Sequence, residues 1–178
     1  MDEGLHLVQM EDDSLNGYES NCLLENVPGA GGGRDFENVG YLFGADVTQD
    51  SRGVLVFDYD RDGDQDVFLA CYRRRGVLLR NDFPARSWLQ VRLVGRESNR
   101  DGVGARIEVE CGGARQVREV RAGEAFISQG SLVQHFGLAD ATAVDALTVR
   151  WPSGHVDRYE SLPVNRRITL TEASHVTQ

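Results

Sequence analysis

The chain has 178 residues, 40% of them hydrophobic and 26% charged, with a net charge of −9. This length predicts one or two small domains with a buried core. The acidic balance, with aromatic residues that do not alternate with basic ones, argues against a nucleic-acid-binding protein.

Charge is divided unevenly along the chain. Residues 1–70 contain 16 acidic residues and three arginines, whereas residues 71–178 carry a net charge of +4. Short alternating segments broken by Gly and Asn or Asp predict strands throughout, and no segment has helical spacing over ten residues. We therefore expect an all-β protein with a first part at residues 1–86, a β domain at 87–172 and a tail at 173–178.

No apolar stretch in the sequence is long enough to cross a bilayer. Residues 1–30 also lack the basic start and apolar centre of a signal peptide. The expectation from these features is a cytoplasmic protein, or a fragment without its leader.

The first part contains a degenerate internal repeat. Gly17–Asn26 resembles Gly76–Asn81, because both have a Leu-Leu pair, a charged residue and then Asn. Before the first copy, Asp12, Ser14 and Asn16 stand two residues apart, as in a calcium loop that has lost most of its charge. A second, weak metal loop is predicted there. Repeats of this size are typical of propeller blades.

The most informative motif is DYDRDGDQD at residues 58–66. Its five aspartates alternate along the segment, and carboxylates packed so closely repel one another unless a cation lies among them. Oxygens at alternate loop positions can converge on one Ca²⁺, with a glycine at position six for the sharp turn. The predicted ligands are Asp58, Asp60, Asp62, Asp64 and Asp66.

The flanks of this motif distinguish it from an EF-hand. Val54–Phe57 before it and Val67–Ala70 after it have the β-branched and aromatic composition of strands. Leu69 also stands where an EF-hand has a bidentate Glu. The segment is therefore predicted to be a strand–calcium loop–strand unit. The alternative is a solvated acidic turn.

The second part shows clear alternation. Ala105, Ile107, Val109 and Cys111 alternate with charged residues, and Gly112-Gly113 follows as a hairpin turn. Similar apolar rows are Leu89, Val91 and Leu93, then Leu147, Val149 and Trp151. Seven or eight strands in about 85 residues are typical of a β-sandwich or a small barrel, and we predict a sandwich.

Several polar residues of this part are candidates for partner binding. For the segment around Asn99, an Asx turn is favoured over a ligand or sugar contact. The segment around Ser128 lacks a GxSxG elbow and offers no triad, so no catalytic residue is assigned. Scattered histidines, together with Cys22, Cys71 and Cys111 without CxxC spacing, argue against a zinc site and leave one disulfide open. The partner-binding candidates are Asn99, Asp101, Ser128, Gln129 and His135.

Longer stretches carry a family resemblance. SRGVLVFDYDRDGDQDVFLA (51–70) resembles an FG-GAP/VCBS repeat. NRDGVGARIEV (99–109), REVRAGEAFISQGSLVQHFGL (118–138) and VRWPSGHVDRY (149–159) resemble the ASPIC/UnbV domain. The two occur in this order in the cartilage acidic protein family and its bacterial relatives. The resemblance implies a calcium-binding, extracellular or periplasmic protein in which Asp64 offers its backbone carbonyl.

Three hypotheses about function follow. The first is a non-enzymatic interaction or adhesion module with a structural calcium ion, whose β domain binds protein or carbohydrate. The second is an accessory or catalytic protein of bacterial, enediyne-type secondary metabolism that binds a small molecule in the β domain. The third is a fragment whose function lies in missing propeller blades. The sequence does not indicate an oligomeric state.

Overall fold

The computed structural model describes residues 19–124 and 128–173. Among these residues the only helical segment is a short 3-10 turn at Gly40–Leu42. The remaining regular structure is strand, which confirms the prediction of an all-β protein. No helix of the described part is long and apolar enough to span a membrane.

The strands are short and follow one another closely. In chain order they are β1 (Leu24–Pro28), β2 (Arg34–Asn38), β3 (Ser51–Phe57), β4 (Asp66–Cys71), β5 (Val77–Leu79), β6 (Trp88–Val94), β7 (Arg106–Cys111), β8 (Ala114–Glu119), β9 (Gln134–Gly137), β10 (Ala143–Arg150), β11 (Val156–Pro163) and β12 (Arg166–Thr171).

The contacts divide the chain into two units. The first comprises the described residues up to Gly53 together with Leu69–Val77. The second comprises Val54–Phe68 together with the residues from Leu78 onward, so the acidic loop belongs to the same unit as the C-terminal strands. The boundaries predicted at residues 86 and 172 remain predictions.

The first unit has few buried apolar side chains. It contains the antiparallel hairpin of β1 and β2, whose Leu24 and Phe36 are exposed. Its buried hydrophobic residues among those described are Val39 and Leu69. A three-stranded sheet has the order β3-β4-β5.

The second unit contains the hydrophobic core. A four-stranded antiparallel sheet has the order β11-β10-β7-β8, and a three-stranded sheet has the order β12-β6-β9 with β12 parallel to β6. The predicted apolar rows of β6, β7 and β10 point into one shared cluster, as a sandwich requires. The core residues are Leu89, Val91, Leu93, Ala105, Ile107, Val109, Val120, Phe136, Leu138, Val144, Leu147, Val149, Trp151 and Leu170.

One predicted turn connects two of these strands as expected. Gly112 and Gly113 have positive φ angles of 57° and 78° and join β7 to β8, with Cys111 opposite Ala114.

No disulfide joins the three cysteines, all of which lie in the described part of the chain. Cys22 is exposed, and Cys71 and Cys111 are half-buried.

Candidate metal centre

The acidic loop connects β3 to β4 through a tight, locally bonded turn. Asp62 Oδ1 accepts a hydrogen bond from the backbone N–H of Asp64 at 3.0 Å, a typical Asx turn. Gly63 has a φ of 102°, and a Cβ atom there would overlap the indole ring of Trp88 on β6. Glycine is therefore required at this position both by backbone conformation and by the close approach to the sheet.

Asp66 anchors the loop from its C-terminal end. Its side chain is completely buried. Oδ2 accepts the N–H of Tyr59 at 2.7 Å, and Oδ1 accepts the N–H of Asn81 at 2.9 Å. This one carboxylate therefore holds the start of the loop and the segment after β5 in place.

Asp58 begins the loop and is half-buried. Its Oδ2 accepts a hydrogen bond of 2.7 Å from Gln90 Nε2 on β6. Its Oδ1 is buried and has no hydrogen-bond partner in the part of the chain that the structure describes. A buried carboxylate oxygen without a partner is costly, so this atom is available to a ligand.

Three carboxylates converge in the loop. They belong to Asp58, Asp60 and Asp66. Each offers one oxygen, and these three oxygens lie within 4.8 Å of one another. Two oxygens bound to the same Ca²⁺ at about 2.3–2.6 Å are separated by at most about 5 Å, so the triad has a spacing that one ion could bridge. Asp60 is exposed, which leaves the cluster open to solvent on that side.

The electrostatics of the loop are unfavourable to five negative charges. Burial, followed by the neighbouring charges of Asp62 and Asp66, raises the pKa of Asp64 from 3.8 to about 6. Asp64 Oδ1 is buried and has no hydrogen-bond partner within the described residues. A cation in the loop would remove this repulsion and favour the charged form of each carboxylate.

The structure brings together some of the predicted ligands more closely than others. Asp58, Asp60 and Asp66 form the triad, whereas Asp62 caps the turn. The carbonyl oxygen of Asp64 accepts a hydrogen bond from Gln65 Nε2 at 3.2 Å. Asp62 and Asp64 therefore stay predicted ligands outside the triad. The second loop predicted at Asp12, Ser14 and Asn16 lies outside the described residues.

The candidate partner-binding residues have varied surroundings. Asn99 accepts the N–H of Val103 at 2.8 Å and donates to its carbonyl at 2.7 Å, so its side chain closes a turn. Asp101 and Gln129 are exposed, and Ser128 forms a β-bridge with Glu124. Partner binding by these residues, and by His135, remains a prediction.

His135 lies beside the loop's attachment to the sheet. It is half-buried on β9, directly opposite Gln90 of β6. Its Nδ1 is buried and has no partner among the residues described. Burial lowers the pKa of His135 below its usual 6.5; the charge of Asp58 acts in the opposite direction, and that of Arg118 lowers the pKa further.

A second buried carboxylate, Glu172, was not found from the sequence. Oε2 of this fully buried side chain accepts the backbone N–H groups of Arg96, Glu97 and Ser98 at 2.7, 3.0 and 2.8 Å. Oε1 accepts the hydroxyls of Ser98 and Ser153. Burial alone would raise its pKa, but these hydrogen bonds lower it from 4.5 to about 2.

A third acidic side chain, Glu108, lies among arginines on the four-stranded sheet. It forms ion pairs with Arg115 at 2.6 Å, Arg106 at 3.0 Å and Arg150 at 3.7 Å. The hydrogen bond from Arg115 is the main cause that holds the pKa of Glu108 below 4.5. Glu108 therefore pairs with a charge on its own strand and with charges on both neighbouring strands of the sheet.

The part of the chain that contains Glu172 and its donors is similar to a known family. Residues 95–177 match the family model described as ASPIC and UnbV. The ASPIC/UnbV match covers β7 to β12, while β6 and the acidic loop precede it. A comparison with curated proteins found no match. The resemblance to FG-GAP/VCBS repeats and to cartilage acidic proteins rests on the sequence motifs alone.

Proposed function

We propose that this chain is a calcium-binding, non-enzymatic interaction module in which the ion is structural. The observation that carries the proposal is the convergence of Asp58, Asp60 and Asp66 within 4.8 Å, next to a buried Asp58 Oδ1 without a hydrogen-bond partner among the described residues. The ion would occupy the space between these three carboxylates.

The chemistry of the triad favours a hard cation. All three donors are carboxylate oxygens, and no histidine or cysteine belongs to the group. Calcium and magnesium prefer oxygen ligands, whereas zinc in proteins prefers nitrogen and sulfur. Calcium fits better than magnesium, because it accepts irregular geometry and a larger number of oxygen ligands.

The ion would tie the loop to the sandwich. Asp66 already bonds to Asn81, Asp58 bonds to Gln90, and Gly63 lies against Trp88. Fixing the triad would fix these contacts together. At about ten times its Kd, the ion would add about 1.4 kcal/mol to the free energy of unfolding. Extracellular calcium modules bind at about 10⁻⁴–10⁻³ M.

The partner of the module would be a protein or a carbohydrate that binds the ASPIC/UnbV-like β domain. An extracellular or periplasmic location belongs to the same proposal, because millimolar calcium is found outside the cytoplasm and a weak site would be filled there. Support for this part comes from the family resemblance of the motifs.

The test is a calcium titration by calorimetry on chelator-stripped protein, with thermal melts beside it. The loop variant is Asp60→Ala/Asp62→Ala. The matched control is Asp46→Ala/Asp140→Ala, which removes two exposed aspartates outside the loop. We expect saturable binding and a raised melting temperature in the wild type and the control, and neither in the loop variant.

The opposite result is equally clear. If millimolar calcium gives no heat and no shift in the wild-type melting temperature, the loop is a solvated acidic turn.

A carbohydrate array probed in calcium and in chelator tests the partner class separately. Binding that is lost in chelator and in the loop variant would support a calcium-stabilised lectin-like surface, and no binding at all would exclude the tested carbohydrates.

A further inference from the structure

Gln90 is a polar residue buried in an apolar strand. It lies on β6 between the core residues Leu89 and Val91, and its side chain is 5% exposed. Leu89 and Val91 point into the sandwich core, so Gln90 points to the opposite face of the sheet. Burying an amide there is costly unless it is hydrogen-bonded.

The hydrogen bond of Gln90 goes to the acidic loop. Its Nε2 donates to Asp58 Oδ2 at 2.7 Å, across 32 positions of sequence. The other oxygen, Asp58 Oδ1, is the buried atom that lacks a hydrogen-bond partner within the described part of the chain. The amide therefore occupies one oxygen of the carboxylate and leaves the other available to a ligand.

Asp66 shows the same arrangement with backbone donors. Each of its oxygens accepts one N–H group, from Tyr59 and from Asn81. Both carboxylates are thus held by donors from outside the triad. Groups that orient metal ligands in this way are known to change metal affinity substantially when they are removed.

We propose that Gln90 is a positioning residue for the calcium site: it holds Asp58 so that Oδ1, and only Oδ1, is presented to the ion. This inference rests on the calcium-binding function proposed above. It assigns a one-oxygen role to Asp58, and it makes a strand of the sandwich part of the ion site.

One consequence is that the loop alone is an incomplete site. A peptide of residues 54–70 would carry all five aspartates but neither Gln90 nor the backbone N–H of Asn81. Its carboxylates would have to be ordered by the ion itself, at a cost in conformational entropy. Affinity would then depend on the sheet as well as on the number of carboxylates.

The test compares Gln90→Met with the wild-type protein. Methionine has a similar length and volume but has no N–H donor, so Asp58 loses its orienting hydrogen bond. The matched control is Gln116→Met on β8, a half-buried glutamine that donates to the carbonyl of Gly137 at 2.6 Å rather than to an aspartate of the loop. Calorimetry gives the calcium Kd, and melts in chelator report the stability of the ion-free fold.

We expect the calcium Kd of Gln90→Met to rise by about 10–100-fold while that of Gln116→Met stays within twofold of the wild type. Melting temperatures of the two variants in chelator should be similar, because each loses one hydrogen bond. Should Gln90→Met fail to fold, Gln90→Asn keeps the amide on a side chain too short to reach Asp58, and it should also weaken binding.

Two outcomes contradict the inference, and they are distinguishable. A wild-type protein that binds calcium, together with a Gln90→Met variant of unchanged Kd, overturns the positioning role and leaves the proposed function intact. Equal loss of affinity in both methionine variants also overturns it, since the effect would then be general. A wild-type protein that binds no calcium overturns the proposed function itself.

Discussion

Among the residues that the structure describes, two carboxylates are completely buried, and they are stabilised differently. Glu172 receives three backbone N–H groups and two hydroxyls, so both of its oxygens are saturated by the protein. Asp66 receives one N–H group at each oxygen and shares its surroundings with Asp58 and Asp60. The first site contains one negative charge and many donors, and the second contains several negative charges and few donors.

The number of donors around each carboxylate decides whether its buried charge is already stabilised. A carboxylate whose oxygens are saturated by donors needs no further partner, and its low pKa follows from those donors. A carboxylate that faces other carboxylates is destabilised by electrostatic repulsion, which protonation or a bound cation relieves. Of these two sites, the acidic loop is therefore the candidate for a cation. Glu172 is called the clamp below, because its side chain holds residues 96–98 and Ser153 in place.

The largest effect is expected at the clamp. Glu172→Gln should lower the free energy of unfolding by about 2–4 kcal/mol, because it weakens charge-assisted hydrogen bonds to Arg96, Glu97 and Ser98 and places an NH₂ group among donors. The loss should be the same in calcium and in chelator. Urea unfolding under both conditions measures it, and a loss that depends on calcium would contradict the comparison.

The clamp also predicts an acid response. The pKa of Glu172 is lowered in the folded state from 4.5 to about 2, so its contribution to stability is complete above about pH 4.5 and is lost as the pH falls toward 2. The stability of the wild type should therefore fall more steeply than that of Glu172→Gln across this interval. Parallel curves would show that the clamp does not titrate in this way.

The next effect is expected at the glycine of the loop. Gly63→Ala should cost about 1–3 kcal/mol, through a strained φ and an overlap with Trp88. The matched control is Gly154→Ala, since Gly154 has a similar φ of 92° but open space around its Cβ position. Thermal unfolding of both variants separates the overlap from the strain. Equal losses would mean that the loop does not depend on Trp88.

The smallest effect is expected at Asp60, and it should appear only with calcium. Asp60→Ala should remove the stabilisation of about 1.4 kcal/mol that calcium gives at about ten times its Kd. In chelator the variant should equal or exceed the wild type, because one repelling charge is gone. Asp46→Ala is the control. A loss of stability in chelator would show that Asp60 has a structural role instead.

The local features of this fold could be predicted from the sequence. Alternation at Ala105, Ile107 and Val109 identified the inward face of β7, and Gly112-Gly113 identified the hairpin. The aspartate spacing located the carboxylates that converge in the loop. Each of these signals lies within about a dozen residues, where periodicity and turn chemistry are informative.

The missed residues depend on contacts between distant parts of the chain. Gln90 reads as an outward polar residue of an alternating strand, and its partner Asp58 is 32 positions away. The sequence pattern predicts Glu172 to be a charged residue at the end of a strand. Its donors at residues 96–98 lie 74 to 76 positions away. Nothing in either neighbourhood indicates burial, because burial is decided by the packing of the sheets.

The contact between Trp88 and the acidic loop has a spectroscopic consequence. The chain has two tryptophans. Trp151 is buried in the core and donates its Nε1–H to Asp157, whereas the indole of Trp88 lies against Gly63 of the loop. Intrinsic fluorescence of a Trp151→Phe variant would thus come from one indole next to the carboxylates. The protein carries its own optical probe of the loop, and ordering of the carboxylates would be visible without any added label.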